Sequence, residues 1–585
     1  MSTNSSVSCR ALLLIGLFQL QVGAICTSLH LSALPLTTHI VDGHGGACAL
    51  QSQAIYGDGT FPLVTVQNCS SLLVQNMSFL NGFSTTEGGC LLVHGVQNVT
   101  ITTSVFHNCH AIVGGGAVAV TSLQNLHLFD VVFETTSVNS TSPYQNELAA
   151  VGSGLLAYAY GNHTQINCTN VIVFDSVQVI SSRNSSFYPL VMGGSIVIVW
   201  PNANSGHNVQ STISNVTFER VTTSVQLSYD CGGSSKCYAV SSLFLLAFLE
   251  QSSGSALEFH QNDLLEVSSS NMYGGSGNGI GVGAYWLGPD SGSSMSCVLH
   301  AGFLLTNSRL AGNANLYVFW WNAEKSGSDA NMVLVGKTEW TVSQCSLSNN
   351  IFLFLLLWEG CSSGQNARVT FLESSNFWVS HSSLSSGSTL FALQWNGNSS
   401  GHNASVLFSE QTSWSLVDTQ LVGGSAVCSF QWNGDHCGSN FSIVFSKQVS
   451  WALSGSILAE GSVMLGPLWS GLSSGAGVSV TFSDETEWHL IKSVVSESSA
   501  LCFLLWKGLD SGGKAKLTFV KATMWYLADS SMHSSYLVCL VWLAPYSGSS
   551  ANVSFSQRSS WSLINTTLND QSLILCLLWI GVMSD

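Results

Sequence analysis

The stretch Thr389 to Ser425, TLFALQWNGNSSGHNASVLFSEQTSWSLVDTQLVGGS, decides the fold. It holds three candidate strands: Leu390 to Trp395, Ala404 to Phe408 and Trp414 to Leu421. Asn396-Gly397 and Ser400-Gly401 mark a turn and a loop between the first two, and Gly423-Gly424 turns the chain into the next unit. The same unit recurs on both sides. Trp321, Trp358, Trp395, Trp432, Trp469, Trp506, Trp542 and Trp579 follow one another at 37 residues, with one step of 36. A second aromatic stands nineteen residues after each of the first seven: Trp340, Phe377, Trp414, Trp451, Trp488, Trp525 and Trp561. Phe371, Phe408, Phe445, Phe482, Phe519 and Phe555 close the second strand of successive units, and a Ser-Gly pair returns at 363, 400, 474, 511 and 547. A fixed period of this size means stacked units, none of which buries its apolar face alone.

Three short strands per coil of about 37 residues, with glycine at the corners, predict an all-β chain: a right-handed parallel β-helix solenoid. Equivalent residues then lie one above another, ~4.8 Å apart. The competing reading is a β-propeller built from the seven complete units between Asn315 and Ser572. Blades of that fold take four strands in about 40–50 residues, more than these units offer. The first half has the same grammar with looser spacing. Its coils open on glycine pairs at Gly45-Gly46, Gly88-Gly89, Gly115-Gly116 and Gly193-Gly194, and Phe79, Phe106 and Phe133 are 27 residues apart. GGSIVIVW ending at Trp200 and GGSAVCSFQW ending at Trp432 are the same device. The expected organisation is a signal peptide over 1–24, irregular coils over 25–314 and regular 37-residue coils over 315–585, the last one incomplete. The apolar run Leu573 to Val582 reads as that partial rung, and a GPI-type tail is the alternative.

GGCLLV…VTITTSVFHN, from Gly88 to Asn108, and GGGAVAV…VVF, from Gly114 to Phe133, resemble the repeats of polymorphic outer-membrane proteins and related pectin-lyase-like β-helix surface proteins. Those repeats pair a GGA(I/L/V) tetrapeptide with Phe-x-x-Asn. Here Asn81 and Asn108 follow their phenylalanines by two residues, and the pattern fades after Phe133. The resemblance implies a passenger-like surface protein and transfers no site.

Composition narrows the function. Only 8% of the 585 residues are charged, hydrophobic residues make up 46%, and fifteen Lys plus Arg leave a formal charge of −16. No basic stripe exists, so nucleic acid is not an expected partner. Arg10, the apolar run Ala11 to Val22 and the small residues Val22-Gly23-Ala24 form a cleavable secretory leader. No apolar run reaches the length of about 20 that crosses a bilayer as a helix. Acceptor sequons for N-glycans stand at Asn68, Asn76, Asn98, Asn139, Asn162, Asn167, Asn184, Asn215, Asn398, Asn403, Asn440, Asn552 and Asn565. Of seventeen cysteines, Cys9 falls in the leader. Cys231 and Cys237, flanking Gly-Gly-Ser-Ser, are the candidate local disulfide. Cys428, Cys502, Cys539 and Cys576, three or four residues before their tryptophans, read as a stack of buried thiols.

β-Helices that cleave polysaccharides gather carboxylates beside an Arg or Lys. This sequence has no dense acidic cluster on one coil. Glu373, Glu410, Lys447, Asp484 and Lys521 form a ladder of changing sign that suits a solvated face. Asp42, His44, Asp58, Asp130, Asp175 and Arg220 lie in the looser half, and no spacing links them. Asp435-His436-Cys437 is a metal-ligand fragment lacking two further ligands nearby. GSGNG at 275–279 reads as a flexible loop without a nucleotide-binding helix after it. No catalytic residue, cofactor or metal site is expected, and the tryptophans read as structural. The expectation is an exported, glycosylated structural or adhesive protein without catalytic activity, with glycans or other surface proteins as partners. A pectate-lyase-type enzyme and a glycan-binding module using the tryptophan ladders are the alternatives.

Overall fold

A computed structural model describes residues 39–59, 62–112, 114–140, 148–182, 190–227, 238–273, 278–312 and 314–579. The expected leader over 1–24, Cys231, Cys237 and Asn184 lie outside the described residues, as do the side chains of Asn139 and Trp579.

All described elements are strands, and successive coils pair in parallel. Each coil adds one strand to a sixteen-stranded first sheet that runs from His39–Asp42 to Leu573–Trp579. It then crosses a second sheet. Up to Gln210–Glu219 the crossing is one ten-residue strand; from Glu258–Gln261 and Leu265–Ser268 onward it is two short strands, both paired to the strand before. A fourteen-stranded third sheet, from Phe83–Ser84 to Thr567–Asn569, completes the coil. The molecule is therefore a parallel β-helix. A propeller is ruled out by the register, in which Trp358 faces Trp395 and Trp395 faces Trp432 in neighbouring parallel strands.

The unit that opened the sequence reading folds as Thr389–Trp395, Ser405–Phe408, Thr412–Val417 and Gln420–Leu421. The expected third strand thus splits in two. Its break is Asp418, at φ 49°, a left-handed conformation that Asp and Asn tolerate. The same corner holds Asn81, Asn108, Thr135, Asp175, Arg220, His381, Lys492, Asp529 and Asn565, all at positive φ, with Gly455 in the equivalent place. The residue after each corner turns its backbone N–H inward, away from the sheet ladder. A serine hydroxyl one rung on accepts it: Cys345 N–H to Ser382, Thr419 to Ser456, Ser456 to Ser493 and Ser493 to Ser530, each 3.1 Å. A buried serine column thereby satisfies donors that would otherwise be orphaned in an apolar interior.

Columns of rings fill the core. Ring centroids of consecutive members from Trp286 through Trp542 are 4.7–5.6 Å apart and nearly parallel. The column continues upstream through Phe248 to Trp200. Two further columns run from Trp340 to Trp561 and from Phe371 to Phe555. Phe79, Phe106 and Phe133 stack in the early coils at 4.8 and 5.3 Å.

The first sheet is apolar on both faces. Phe391, Leu393 and Trp395 belong to the interior, whereas Ala392 joins Leu355, Leu357, Trp320, Tyr285 and Val197 in a second buried cluster on the opposite face. This explains why its strands read as continuous apolar runs, while those of the second sheet alternate. Asn278 and Gly279, expected in a flexible loop, begin the first-sheet strand Asn278–Trp286.

Candidate functional site

The corner between the first and second sheets is the most elaborated edge of the rod. Each regular coil leaves its tryptophan, makes a turn, and places Ser-Gly, or Cys437-Gly438 after Trp432, against the indole. Ser363, Ser400 and Ser547 close their turns by donating to the carbonyl three residues back, at 2.6–2.7 Å. The following glycine has positive φ and no room for a side chain: a Cβ on Gly438 would lie 1.9 Å from Cδ1 of Trp432. The Trp-x4-Ser-Gly spacing is thus one contact seen from the sequence, and it starts at Trp200 with Ser205-Gly206.

This geometry decides the fate of the tryptophans as a binding surface. Trp321, Trp358, Trp395, Trp432, Trp469, Trp506 and Trp542 are all buried, none more than 4% exposed. An indole platform for sugars on this column is therefore corrected: the rings face the core because the Ser-Gly corner seals them. Most of these indole N–H groups, among them those of Trp395, Trp432 and Trp469, have no acceptor in the interior.

Outside the corner, side chains run up the rod as polar ladders. Asn433 donates to Asn396 at 2.9 Å and Ser470 to Asn433 at 2.5 Å, while Asn398 accepts from the backbone of Asp435 at 3.0 Å. Asp435-His436-Cys437 does not assemble a metal centre. Cys437 is fully buried in the place that serine takes in neighbouring coils, and its thiol, pushed up to about 12 by burial, lies 3.7 Å from the Trp395 carbonyl. Among the described residues no group of three His, Cys, Asp or Glu is arranged to hold a metal ion.

The looser half brings together residues that no spacing had linked. Arg220 and Asp175 occupy the same left-handed corner in adjacent coils, and Arg220 donates to both Asp175 oxygens at 2.6 and 2.9 Å. It also reaches Glu219 at 2.9 Å and lies over the Phe174 ring at 3.7 Å. Asp130 begins a second ladder, accepting from Asn170 at 2.7 Å, which accepts from Asn215 at 2.9 Å. Asp42 sits almost buried at the first rung. The His44 N–H first, then the Gln67 side chain and Asn68, hold its carboxyl below the ordinary range. Asp58 is exposed at the corner after Ala47–Tyr56. Glu87, which the sequence reading passed over, is pushed up by burial where the chain enters Gly88-Gly89. The charge ladder lies on the surface, where Lys521 binds Asp484 at 2.9 Å.

Disulfides join Cys48 to Cys69 and Cys90 to Cys109 in the first coils. The proposed thiol stack splits between two faces. Cys428 and Cys502, four residues before their tryptophans, point inward, whereas Cys539 and Cys576, three before, point outward into another cluster. Strand alternation makes one residue of offset a change of face. Cys428 stacks between Phe391 and Leu465 rather than between thiols.

The sequon asparagines Asn68, Asn76, Asn162, Asn215, Asn398, Asn403, Asn440, Asn552 and Asn565 are exposed. Asn98 and Asn167 are half-buried on the second sheet, bonded to Asn125 at 2.6 Å and to His127 at 3.0 Å.

No family model matches the chain, and no curated protein matches it. One solved structure, that of the PL6 family alginate lyase AlyGC, pairs with 91% of this chain and 97% of its own at 8% identity and a TM-score of 0.12. A score that low carries nothing about activity.

Proposed function

We propose that the chain is an exported, glycosylated β-helix of the cell surface or extracellular space that works by presentation and not by catalysis. The observation that carries this reading is where the polar chemistry is spent. Serine, asparagine and charged side chains bond from rung to rung, and Arg220 and Lys521 are held by neighbouring carboxylates. Corner loops such as 397–402 and 434–438 are the contact elements, with glycans or other surface proteins as partners. Two disulfides favour an oxidising compartment. Among the described residues no helix is long and apolar enough to cross a membrane.

A second reading, cleavage of an acidic polysaccharide, rests on the gathering of Asp175, Glu219 and Arg220 on one face. One assay separates the two. The secreted protein is incubated with alginate and polygalacturonate, with and without calcium, and new chain ends are counted. Presentation predicts no cleavage. Cleavage that disappears in Asp175→Asn or Arg220→Gln would replace it with the enzymatic reading.

A further inference from the structure

Asn403 and Asn440 are both sequons, and they are the same position of the corner loop in consecutive coils. Both are exposed and left-handed, at φ 55° and 57°. Their backbone N–H groups bond alike, Asn403 to the Ser439 carbonyl at 3.0 Å and Asn440 to the Ala476 carbonyl at 2.9 Å. Asn440 Nδ2 points at Asn403 Oδ1, 3.5 Å away. The hydroxyl residues of the two sequons, Ser405 and Ser442, are direct register partners. We infer that the two asparagines act as one glycan site: a folded molecule carries an N-glycan on Asn403 or on Asn440, not on both. This rests on the exported, glycosylated reading above.

The chemistry is ordinary transfer from a lipid diphosphate-linked oligosaccharide. Asparagine Nδ2 attacks the sugar C1, the C1–O bond to the diphosphate breaks, Nδ2 loses a proton, and the lipid diphosphate leaves. Transfer to the unfolded chain makes no distinction between the two sites. Folding then brings them within one rung, ~4.8 Å. A pyranose ring carrying an N-acetyl group is wider than that, and both stems leave from equivalent atoms in the same direction. The equivalent asparagine one rung earlier, Asn366, continues the same ladder away from the pair, donating from its side chain to Asp329 at 3.1 Å. Doubly modified chains therefore lose the stacking of this corner and drop out of the secreted pool.

The sequence makes the test direct, because no Lys or Arg lies between Arg368 and Lys447 and one tryptic peptide carries both sites. The secreted protein is digested, the glycans are removed by amidase in heavy-oxygen water, and each converted asparagine is mapped by mass spectrometry. The expected result is peptides converted at Asn403 or at Asn440, with double conversion at least tenfold below the product of the single occupancies, a factor worth about 1.4 kcal/mol. Ser405→Ala and Ser442→Ala each leave one acceptor of this pair, whose occupancy is expected to rise toward the wild-type sum of the two. Double conversion at the product level overturns the inference while leaving the glycoprotein reading intact. Conversion at Asn162 or Asn215 with none at either corner site also overturns it. Absence of conversion at every sequon removes both.

Discussion

The rungs between His39 and Ser140 and those between Ala314 and Trp579 solve one problem with different chemistry. The early ones are short: first-sheet register partners are 25, 27 and 27 residues apart. They close around phenylalanine and aliphatic side chains, and two disulfides tie their corners. The late ones are ten residues longer. The added residues form the Ser-Gly corner that seals a tryptophan, and three ring columns replace the covalent ties. Narrow coils bury less apolar surface each and take more from cross-links, whereas wide coils are held by ring stacking on their neighbours. The two regimes meet without a break, since the first sheet pairs strand to strand from one to the other.

The comparison can be broken by experiment, and the largest effect is expected in the wide coils. Phe408→Asp or Leu393→Asp places a carboxylate in a site with no exposure, at a cost of several kcal/mol or more, so secretion is expected to stop. Ser399→Asp, at a left-handed loop position, is expected to secrete normally. Equal yields on immunoblot of medium would contradict the inside–outside assignment.

Next comes the column itself. Trp432→Ala should destabilise by about 3–5 kcal/mol. Trp432→Phe should stay within about 1.5 kcal/mol, because a ring still stacks and the indole N–H without an acceptor is removed. Phe377 already interrupts one tryptophan column and Phe248 the other without breaking either stack. Chemical unfolding monitored by fluorescence reads both.

Disulfide removal should act on the other region. Cys90→Ser with Cys109→Ser is expected to cost about 2–5 kcal/mol. Hydrogen exchange should accelerate over residues 39–140 and remain unchanged over 314–579. A uniform acceleration would mean that the two regions are one cooperative unit.

Smaller still is Ser456→Ala, which leaves the Thr419 N–H without its acceptor and should cost about 1–3 kcal/mol. The smallest is a pH effect at the first rung. Asp42 has its pKa lowered in the folded state, so its contribution is present above the unfolded carboxylate value of about 3.9 and fades as pH falls through the lower folded value. Protection of residues 39–67, taken relative to the intrinsic exchange rate at each pH, should therefore be lower at about pH 3 than at pH 7, an effect that Asp42→Asn abolishes.

The repeat made the solenoid legible, because rings 37 residues apart mean rungs. Other features were invisible for physical reasons. Asp418 looked like part of a strand in SLVDTQL, since a left-handed corner leaves no hydrophobic signature. The serine column was hidden because a buried serine and a surface serine are the same letter. The Arg220–Asp175 pair is 45 residues apart, set by a coil length that the loose half does not repeat. Cys48–Cys69 and Cys90–Cys109 join cysteines 21 and 19 residues apart, separations that no local loop motif announces. Trp-x4-Ser-Gly at Trp200 and Trp286 already announces the late type of corner in the sequence.

Equivalent corners advance along one axis by a fixed step. Asp329, Gly477 and Ser550 hold the same corner position, four and six rungs apart, linked through the hydrogen bonds of Asn366, Asn403, Asn440 and Lys514. Spin labels on cysteines introduced at Asp329 with Gly477, and at Asp329 with Ser550, in a chain whose exposed Cys361 is changed to serine, give two distances by pulsed electron resonance. The account predicts backbone separations of ~19 Å and ~29 Å, in proportion to the rung number. A second distance equal to or shorter than the first would contradict it.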